Sequence, residues 1–206
     1  MKNIKIDKSS LFVTGIGTNV GKTIVSAAIV EYYKADYWKP VQSGDLHYSD
    51  SDRIADLISN TSSVIHPERF RLSIPQSPHK AAKYDGISIC PEDFVLPETK
   101  NKLIIEGAGG LFVPLSSHFL MIDLIQQFQS DAVLVVRNYL GCINHTLMSI
   151  HALTSRGVPL KLVVFNGTFD LDTMEVIISH LPEKTTWTTV TEFLSLDKSS
   201  ILSAFE

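Results

Sequence analysis

Residues 11–23 of the chain read LFVTGIGTNVGKT, which is an apolar run, a glycine-rich turn and then a Gly-Lys-Thr triplet that opens an apolar helical pattern. Glycines in such a turn let backbone N–H groups approach phosphate oxygens closely, and the N-terminus of the helix adds positive potential. In a loop of this type Lys22 neutralises the β- and γ-phosphates, and the hydroxyl of Thr23 is a ligand for Mg²⁺. The stretch therefore predicts a strand, a phosphate-binding loop and a helix that together bind a nucleoside triphosphate.

The spacing and surroundings of this loop bear on two other interpretations. Five residues lie between Gly15 and Gly21, whereas the usual phosphate-binding loop has four between its first glycine and the Gly-Lys pair. A Gly-Lys-Thr triplet alone can be a plain helix start, but the apolar runs at 11–13 and 24–30 favour the nucleotide-binding loop. A dinucleotide-binding fold fits less well, because three residues rather than two separate Gly17 from Gly21.

The bulk composition limits the classes of protein to which the chain can belong. It has 206 residues, of which 44% are hydrophobic and 19% charged, as in an ordinary globular protein, so we expect one domain spanning 1–206. The net charge of −4 gives no indication of a non-specific nucleic-acid surface. The first residues lack the apolar core of a signal peptide, no apolar run is long enough to span a bilayer, and Cys90 and Cys142 form no CxxC pair. We therefore expect a cytoplasmic protein with no nucleic-acid or membrane partner.

Apolar strand patterns alternate with helical patterns along most of the chain. The strand patterns cover residues 11–14, 37–40, 103–106, 132–137 and 160–166. The helical patterns cover residues 22–34, 51–58, 121–128, 143–155 and 171–180. This alternation predicts a P-loop NTPase-like α/β fold, with a doubly wound, mainly parallel sheet flanked by helices. Residues 62–98 contain five prolines and are expected to form surface loops with one short helix.

Polar residues follow the strand patterns, at the edge where a doubly wound sheet binds its ligands. Lys39 ends the second strand pattern directly before Pro40, which predicts a lysine fixed in the ligand crevice. A lysine that extends along the rim of the sheet is an equally good interpretation. Asp52 lies near the start of the next helical pattern, where it is either a Mg²⁺ partner or a carboxylate that interacts with the helix dipole. The sequence alone leaves both alternatives open.

The third strand pattern ends in Glu106, which is followed by Gly107, Ala108 and Gly109. An acidic side chain at the end of an apolar strand is the usual partner of nucleotide-bound Mg²⁺, opposite the hydroxyl of the phosphate-binding loop. Because burying a carboxylate without a cation is costly, metal binding explains Glu106 better than a purely structural role. The glycines after it let the backbone pass close to the γ-phosphate.

Residues 140–145, LGCINH, open the fourth helical pattern. The free N–H groups at a helix start bind anions readily, so a substrate carboxylate is a reasonable ligand here. Neither Cys142 nor His145 has a catalytic partner nearby in the sequence. Taken alone, the cysteine is explained as a small buried side chain and the histidine as a surface residue.

Taken together, these segments resemble the dethiobiotin synthetases, the ATP-dependent carboxylases of biotin synthesis. The motifs that carry the resemblance are Thr14-Gly15 through Gly21-Lys22-Thr23, Lys39-Pro40-Val41 with Ser43-Gly44, Ser51-Asp52, Ser77-Pro78-His79, Glu106-Gly107-Ala108-Gly109-Gly110, and Leu140-Gly141-Cys142-Ile143-Asn144-His145. They run in order from residue 10 to about residue 167, and the five-residue spacing of the loop is the form found in that family. The last forty residues match poorly.

The resemblance implies an enzyme that joins CO₂ to 7,8-diaminopelargonate as a carbamate, phosphorylates the carbamate with ATP and closes a cyclic urea. The implied catalytic residues are Lys22 and Lys39, which would flank the carbamate and the γ-phosphoryl group, and the implied ligands of Mg²⁺ are Thr23, Asp52 and Glu106. The nucleotide would be bound by Asn19, Val20, Gly21, Lys22, Thr23, Ile24, Asp52, Glu106, Gly107, Ala108, Gly109 and Asn166. The substrate would be bound by Thr18, Ser43 and, from the neighbouring subunit of a homodimer, Gly141, Cys142, Ile143 and Asn144.

The resemblance weakens at the segment that it implies for the nucleotide base. The family commonly has Asn-Asp after the fifth strand, whereas this chain has Asn166-Gly167. The family's Gly-x-(Ile/Leu)-Pro segment also has no clear counterpart, since residues 181–187 read LPEKTTW. Because hydrogen bonds to a base edge supply most purine selectivity, we expect a relaxed nucleotide preference or weak ATP affinity. The resemblance further places residues 75–79 near the substrate, although no separate physical argument gives His79 a role.

Two other nucleotide-dependent functions compete with this interpretation. A partition-type P-loop switch ATPase would share the loop and the sheet, but it gives no reason for residues 39–43 or 140–145. Such proteins usually carry an additional lysine early in the loop, where this chain has Ile16 or its neighbours. An amide ligase of corrin synthesis needs a glutaminase domain, for which the chain has no room. Dependence of hydrolysis on a small diamine, rather than on DNA and protein partners, distinguishes the synthetase from the switch ATPase.

Overall fold

The apolar runs of the sequence form parallel strands, and the amphipathic segments between them form helices. The computed structural model describes residues 8–192 and 196–204. In chain order its elements are β1 (Ser10–Gly15), α1 (Lys22–Tyr33), β2 (Asp36–Trp38), β3 (Val41–Ser43), α2 (Asp50–Leu57), β4 (Ile65–His66), β5 (Phe70–Leu72), α3 (Pro78–Asp85), a 3₁₀ turn (Pro91–Asp93), β6 (Leu103–Gly110), α4 (Met121–Gln127), β7 (Asp131–Arg137), α5 (Cys142–Ser155), β8 (Leu160–Asn166), α6 (Leu171–Ser179), β9 (Thr186–Val190) and α7 (Lys198–Ser203).

Seven of the strands form one sheet in the order β4-β2-β6-β1-β7-β8-β9, and every pairing in it is parallel. The short strands β3 and β5 pair with each other in a separate two-stranded sheet. Because β1 lies between β6 and β7, the loop that follows β1 lies beside the carboxyl ends of both neighbours. The predicted doubly wound, mainly parallel α/β fold is confirmed.

The strand residues are apolar on both sides because helices cover both faces of the sheet. In β1, Phe12 packs on one face, whereas Leu11 and Val13 pack on the other. Buried residues of α1, α2 and α7 cover the Leu11 face, and those of α3, α4, α5 and α6 cover the opposite face. Among the described residues, no helix is both long and apolar enough to cross a membrane.

The structure differs from the predicted elements where strands are short or polar. The predicted strand at 37–40 ends at Trp38, because Pro40 has no N–H for a sheet ladder, and the chain then enters the second sheet as β3. Residues 62–98, expected to be loops around one helix, also contain β4 and β5, which have only two and three residues. The edge strand β9 reads TWTTV and is mostly exposed, so it lacks the apolar pattern of the central strands.

Candidate active site

The phosphate-binding loop runs from the end of β1 to the start of α1. Asn19 and Gly21 both adopt the left-handed conformation, with φ of 59° and 93°, and this turns the chain sharply before Lys22. A Cβ at Gly21 would collide with the side-chain nitrogen of Asn166, so this position requires glycine. The amide of Asn166 donates to the carbonyl of Val20 at 2.8 Å, and the end of β8 therefore braces the loop.

Lys22 is buried under the loop that precedes it. Its ammonium group donates to the carbonyl oxygen of Gly17 at 3.1 Å. Burial, with a smaller contribution from the charge of Lys39, lowers the pKa of Lys22 to about 8 against the opposing charges of Glu106 and Asp50. The nearby carboxylates therefore do not fully compensate the buried ammonium group of Lys22. A site with such uncompensated positive charge favours the binding of a polyanion.

Glu106, at 1% exposure, is the centre of a buried polar cluster at the carboxyl ends of β1, β2 and β6. Its Oε1 accepts hydrogen bonds from the Thr23 hydroxyl at 2.9 Å and from Lys39 at 3.1 Å. Its Oε2 accepts a hydrogen bond from the hydroxyl of Tyr37 at 2.9 Å. The loop hydroxyl, the strand-end lysine and the strand-end carboxylate predicted from the sequence therefore do lie together.

Lys39 is only 5% exposed and makes ion pairs with both Glu106 and Asp50. Burial alone would lower the pKa of Lys39, but the two carboxylates outweigh it and raise the pKa above its ordinary value. The lysine is therefore a buried cation held between two carboxylates. The alternative of a lysine extending along the rim of the sheet is wrong.

Asp52 does not face this cluster, and the structure corrects the prediction that it holds Mg²⁺. Its carboxylate accepts from the backbone N–H of Ser49 at 2.8 Å, while the Ser49 hydroxyl accepts from the N–H of Asp52 at 3.3 Å. This is a capping box at the start of α2, and Asp52 is exposed. The carboxylate that reaches the cluster belongs to Asp50, two residues earlier.

Asp50 is 26% exposed in its side chain and contacts Lys39. Burial by itself would raise the pKa of Asp50, but Lys39 and hydrogen bonds from Lys39 and Thr23 hold it below its ordinary value. The hydroxyl of Thr23 is thus shared between the carboxylates of Asp50 and Glu106. These three side chains offer only oxygen donors at one point beside the loop, which is the donor set that Mg²⁺ prefers. The residues present therefore fit a magnesium ion.

The glycine run after Glu106 lies against the phosphate-binding loop. A Cβ at Gly110 would lie 3.2 Å from the carbonyl oxygen of Gly15 and 3.6 Å from the N of Gly17. A Cβ at Gly109 would lie 3.5 Å from the hydroxyl of Thr18. Gly109 and Gly110 therefore lie against loop residues Gly15, Gly17 and Thr18, whereas a Cβ at Gly107 would meet the core residue Phe12.

The residues predicted to bind substrate lie on three segments. Thr18 is exposed on the loop, and Ser43 ends β3 with a buried hydroxyl that has no hydrogen-bond partner among the described residues. Gly141, Cys142, Ile143 and Asn144 open α5, where Gly141 has φ of 101°. Within residues 8–192 and 196–204, no hydrogen bond joins this helix start to the Glu106 cluster.

The start of α5 carries its own local contacts. The hydroxyl of Tyr139 hydrogen-bonds Nδ1 of His145 at 2.7 Å, and the amide of Asn144 points to the sulfur of Met148 at 3.5 Å. Leu140 is fully exposed, and Cys142 is buried. The interpretation of Cys142 as a small buried side chain and of His145 as a surface residue is confirmed.

Two residues of the cluster were not identified from the sequence, Tyr37 and Asp50. Tyr37 reads as an ordinary core aromatic residue, but it is two positions before Lys39 on an extended chain, and such positions share a face. Burial, followed by the charge of Glu106, raises the pKa of Tyr37 well above its ordinary value, so its hydroxyl remains a donor. Asp50 and Asp52 both lie in the first turn of α2, and local patterns do not distinguish them.

The segment implied to bind the nucleotide base also contains an unexpected carboxylate. Glu192, just after β9, lies beside Gly167, with its Oε1 3.5 Å from where a Cβ of that glycine would be. The same carboxylate is 3.3 Å from the guanidinium group of Arg137. Glu192 therefore places a negative charge where the family pattern has an aspartate at position 167.

Solved structures similar to this chain share its fold at low sequence identity. A ParA family ATPase from Chlorobium tepidum is 11% identical, with a TM-score of 0.55 over 96% of this chain and 91% of that chain. A chain of the MinC:MinD cell division complex from Aquifex aeolicus is 14% identical, with a TM-score of 0.53 over 95% of this chain and 86% of that chain. At such identities these likenesses concern the fold alone.

Sequence relatives are much more similar. A family model described as an AAA domain matches residues 9–197. The ATP-dependent dethiobiotin synthetase BioD of Christiangramia forsetii is 51% identical over 158 residues, which cover 77% of this chain and 76% of that protein. The ATP-dependent dethiobiotin synthetase BioD of Cytophaga hutchinsonii is 45% identical over 170 residues, which cover 82% of each chain. With its loop, lysines and carboxylates arranged as described above, this chain belongs to the family of ATP-dependent dethiobiotin synthetases.

Proposed function

We propose that the chain catalyses the ATP-dependent carboxylation and ring closure of 7,8-diaminopelargonate with CO₂, which yields dethiobiotin, ADP and phosphate. The observation that carries this proposal is the buried cluster in which Lys39, held by Glu106 and Asp50, lies beside the phosphate-binding loop. A purely hydrolytic site has no need of a second buried lysine at the end of a neighbouring strand. A reaction that combines a carbamate anion with a phosphoryl group does need one, because both reactants are negatively charged.

The proposed reaction has three steps. An amine of the substrate attacks CO₂, forms a C–N bond and loses a proton to solvent, which leaves a carbamate. A carbamate oxygen then attacks the γ-phosphorus and expels ADP, which gives a carbamic-phosphoric anhydride. The second amine attacks the carbonyl carbon of this anhydride, loses a proton and expels phosphate as the cyclic urea closes.

The chain contributes mainly charge and position to these steps. Lys22 would offset the charge of the β- and γ-phosphates, and Lys39 would offset the charge of the carbamate and the transferred phosphoryl group. The hydroxyls of Thr18 and Ser43 would hold the carbamate end by hydrogen bonds. Thr23, Asp50 and Glu106 would hold Mg²⁺, which supplies further charge compensation at the phosphates. A carbamate is already an anionic nucleophile, so we assign no general base for its attack.

The test of this proposal is phosphate release with Mg²⁺-ATP and bicarbonate, with and without the diamine. Release that requires 7,8-diaminopelargonate and yields a cyclic urea supports the synthetase. Hydrolysis of ATP that does not respond to the diamine, but does respond to DNA or a protein partner, would instead favour a partition-type switch ATPase.

The two carboxylates in the first turn of α2, Asp50 and Asp52, allow a matched pair of variants. We expect Asp50→Asn to raise the Mg²⁺ concentration for half-maximal activity by about tenfold or more, because a metal-facing carboxylate is lost. Asp52→Asn is expected to leave that concentration unchanged and to lower the stability only slightly, through the weakened capping box. Magnesium titrations of activity and urea unfolding measure the two effects. A higher Mg²⁺ requirement in Asp52→Asn than in Asp50→Asn would contradict this prediction and return the assignment to Asp52.

The nucleotide preference is proposed to be relaxed. Glu192 is exposed and shared with Arg137, so the acceptor that it offers a base amino group is weaker than a fixed aspartate at position 167. We expect kcat/KM values for CTP and GTP within about tenfold of the ATP value, since one weak base-edge hydrogen bond gives limited discrimination. Glu192→Ala is expected to lower further the ratio of kcat/KM for ATP to kcat/KM for GTP. Steady-state kinetics with the three nucleotides measures this, and an exclusive use of ATP would contradict it.

We further propose a homodimer in which the start of α5 from one subunit receives the substrate carboxylate bound by the other. Leu140, Met148 and Phe112 are large apolar side chains that are more than half exposed in the single chain, and the first two flank this helix start. The lack of any hydrogen bond, within the described residues, between this helix start and the Glu106 cluster also supports a site completed by a second copy.

Subunit complementation tests the shared site. Lys39→Met and Asn144→Ala would each inactivate a different part of it, and a mixed dimer would contain one site free of both substitutions. We expect co-expressed, differently tagged subunits to regain up to about half of the wild-type activity per dimer, because one of two sites is restored. No recovery in purified mixed dimers, or a monomeric mass by light scattering, would contradict the proposal.

A further inference from the structure

Tyr37 is fully buried, and yet it presents a polar group to the proposed metal site. Its ring packs in the core between α1 and the sheet, in the same cluster as Val13, Val25 and Ile104. Its hydroxyl donates to Oε2 of Glu106 at 2.9 Å. A phenylalanine would fill the same apolar space, so core packing alone does not explain the hydroxyl.

The three donors to Glu106 divide between its two oxygens. Thr23 and Lys39 both donate to Oε1, which is the oxygen on the side of the phosphate-binding loop. Tyr37 alone among the described residues donates to Oε2. Under the proposed function, the Thr23 hydroxyl and the Lys39 ammonium turn to Mg²⁺ and to the reacting anions. The hydrogen bond from Tyr37 has no such competing use.

We propose that Tyr37 is a positioning residue, whose hydroxyl holds Glu106 so that Oε1 faces Thr23 and the metal of a bound Mg²⁺-nucleotide. This inference rests on the proposed function only in taking Glu106 as a ligand of nucleotide-bound Mg²⁺. Hydrogen bonds that orient a metal-binding carboxylate commonly affect metal affinity by about 10–100-fold. Tyr37 does not itself contact the nucleotide or the substrate in this arrangement.

Metal-dependent nucleotide binding tests the proposal without the diamine. The variant is Tyr37→Phe, and the readout is the binding of fluorescent N-methylanthraniloyl-ADP over a titration of Mg²⁺ and in EDTA. We expect the half-saturating Mg²⁺ concentration to rise by about tenfold, while the Kd in EDTA stays within about twofold, because only the metal ligand is disturbed. An unchanged Mg²⁺ dependence in the folded variant would overturn the proposal and leave Tyr37 as a core residue.

Tyr48→Phe is the matched control. Tyr48 also donates to a carboxylate at 2.9 Å, that of Asp56, but on the exposed surface of α2. Its loss should leave the Mg²⁺ titration unchanged. A similar shift in both variants would mean that the effect is not specific to Glu106 and would also overturn the proposal.

A second comparison covers the case in which Tyr37→Phe does not fold. Site-specific incorporation at position 37 of 4-methylphenylalanine fills the space of the hydroxyl without a donor, and 4-aminophenylalanine keeps an N–H donor there. We expect the wild-type Mg²⁺ dependence only with the amino analogue, and equal behaviour of the two analogues would overturn the proposal. The binding experiment uses no diamine. If the wild type shows no diamine-dependent turnover, the proposed function is refuted, but the test of Tyr37 remains valid.

Discussion

Replacing Lys39 with methionine is expected to lower the kcat of diamine-dependent phosphate release by about 10²–10³-fold, as for the loss of one preorganised group that stabilises transition-state charge. The methionine keeps most of the side-chain volume but removes the buried ammonium that lies between Glu106 and Asp50. The affinity for fluorescent ADP should change by less than about threefold, because Lys22 and the loop carry most of the phosphate contacts. Rapid-quench turnover and nucleotide titration measure the two quantities separately.

Folding must be followed in this variant, because a buried carboxylate loses its cation. Glu106 keeps its hydrogen bonds from Thr23 and Tyr37, and Asp50 is partly exposed to water, so we expect a lower but cooperative thermal transition. Lys80→Met is the control, since Lys80 is an exposed lysine on α3 outside the cluster. A kcat within tenfold of wild type would show that Lys39 does not act on the reacting groups.

The second large effect is expected from Lys22→Met, which should weaken nucleotide binding rather than the chemical step alone. A hydrogen bond to a charged group contributes about 1.5–3 kcal/mol, so nucleotide affinity should fall by about 10–100-fold. The thermal stabilisation that Mg²⁺-ADP gives to the wild type should largely disappear in the variant. Calorimetric titration and thermal unfolding with the ligand measure both, and unchanged affinity would contradict the assignment of Lys22.

The same variant has a pH dependence whose sign follows from the pKa of Lys22. Burial lowers this pKa from 10.5 in the unfolded chain to about 8, so above pH 8 the unfolded state binds more protons than the folded one. The cost of burying the charged lysine is therefore fully present below pH 8 and fades as the pH rises towards 10.5. The free energy of unfolding of Lys22→Met, relative to wild type, should thus fall between pH 7 and pH 9.5. Urea unfolding at the two pH values measures this difference, and a constant difference would contradict it.

The fold was predictable where burial leaves a strong pattern in the sequence. The runs 11–13 and 132–136 are continuously apolar because helices cover both sides of β1 and β7. The strands β4 and β5 have two and three residues, which is too few for any periodicity to be visible. The polar edge strand β9 pairs on one side only, so burial does not constrain its composition.

The site was predictable where the sheet itself fixes a residue. Lys39 and Glu106 each end or follow an apolar strand run, so parallel pairing of β2 with β6 brings them to the same edge. Which of Asp50 and Asp52 faces the cluster depends instead on how Ser49 caps α2 and how that helix packs against α1. The role of Tyr37 depends on which oxygen of a distant glutamate its hydroxyl meets, and no local pattern records that.

The central position of β1 also has a consequence for how the protein is made. Ser10 pairs with Leu103 and Leu11 pairs with Asp131, so both neighbours of β1 lie more than ninety residues later in the chain. The Gly-Lys-Thr segment therefore leaves the ribosome early, but the strands that support it follow much later. Such long-range pairings slow folding and leave apolar strands exposed during synthesis. ATP can therefore stabilise the protein only after β6 and β7 have been made and the domain has folded. Depletion of nucleotide would remove this stabilisation of the folded state.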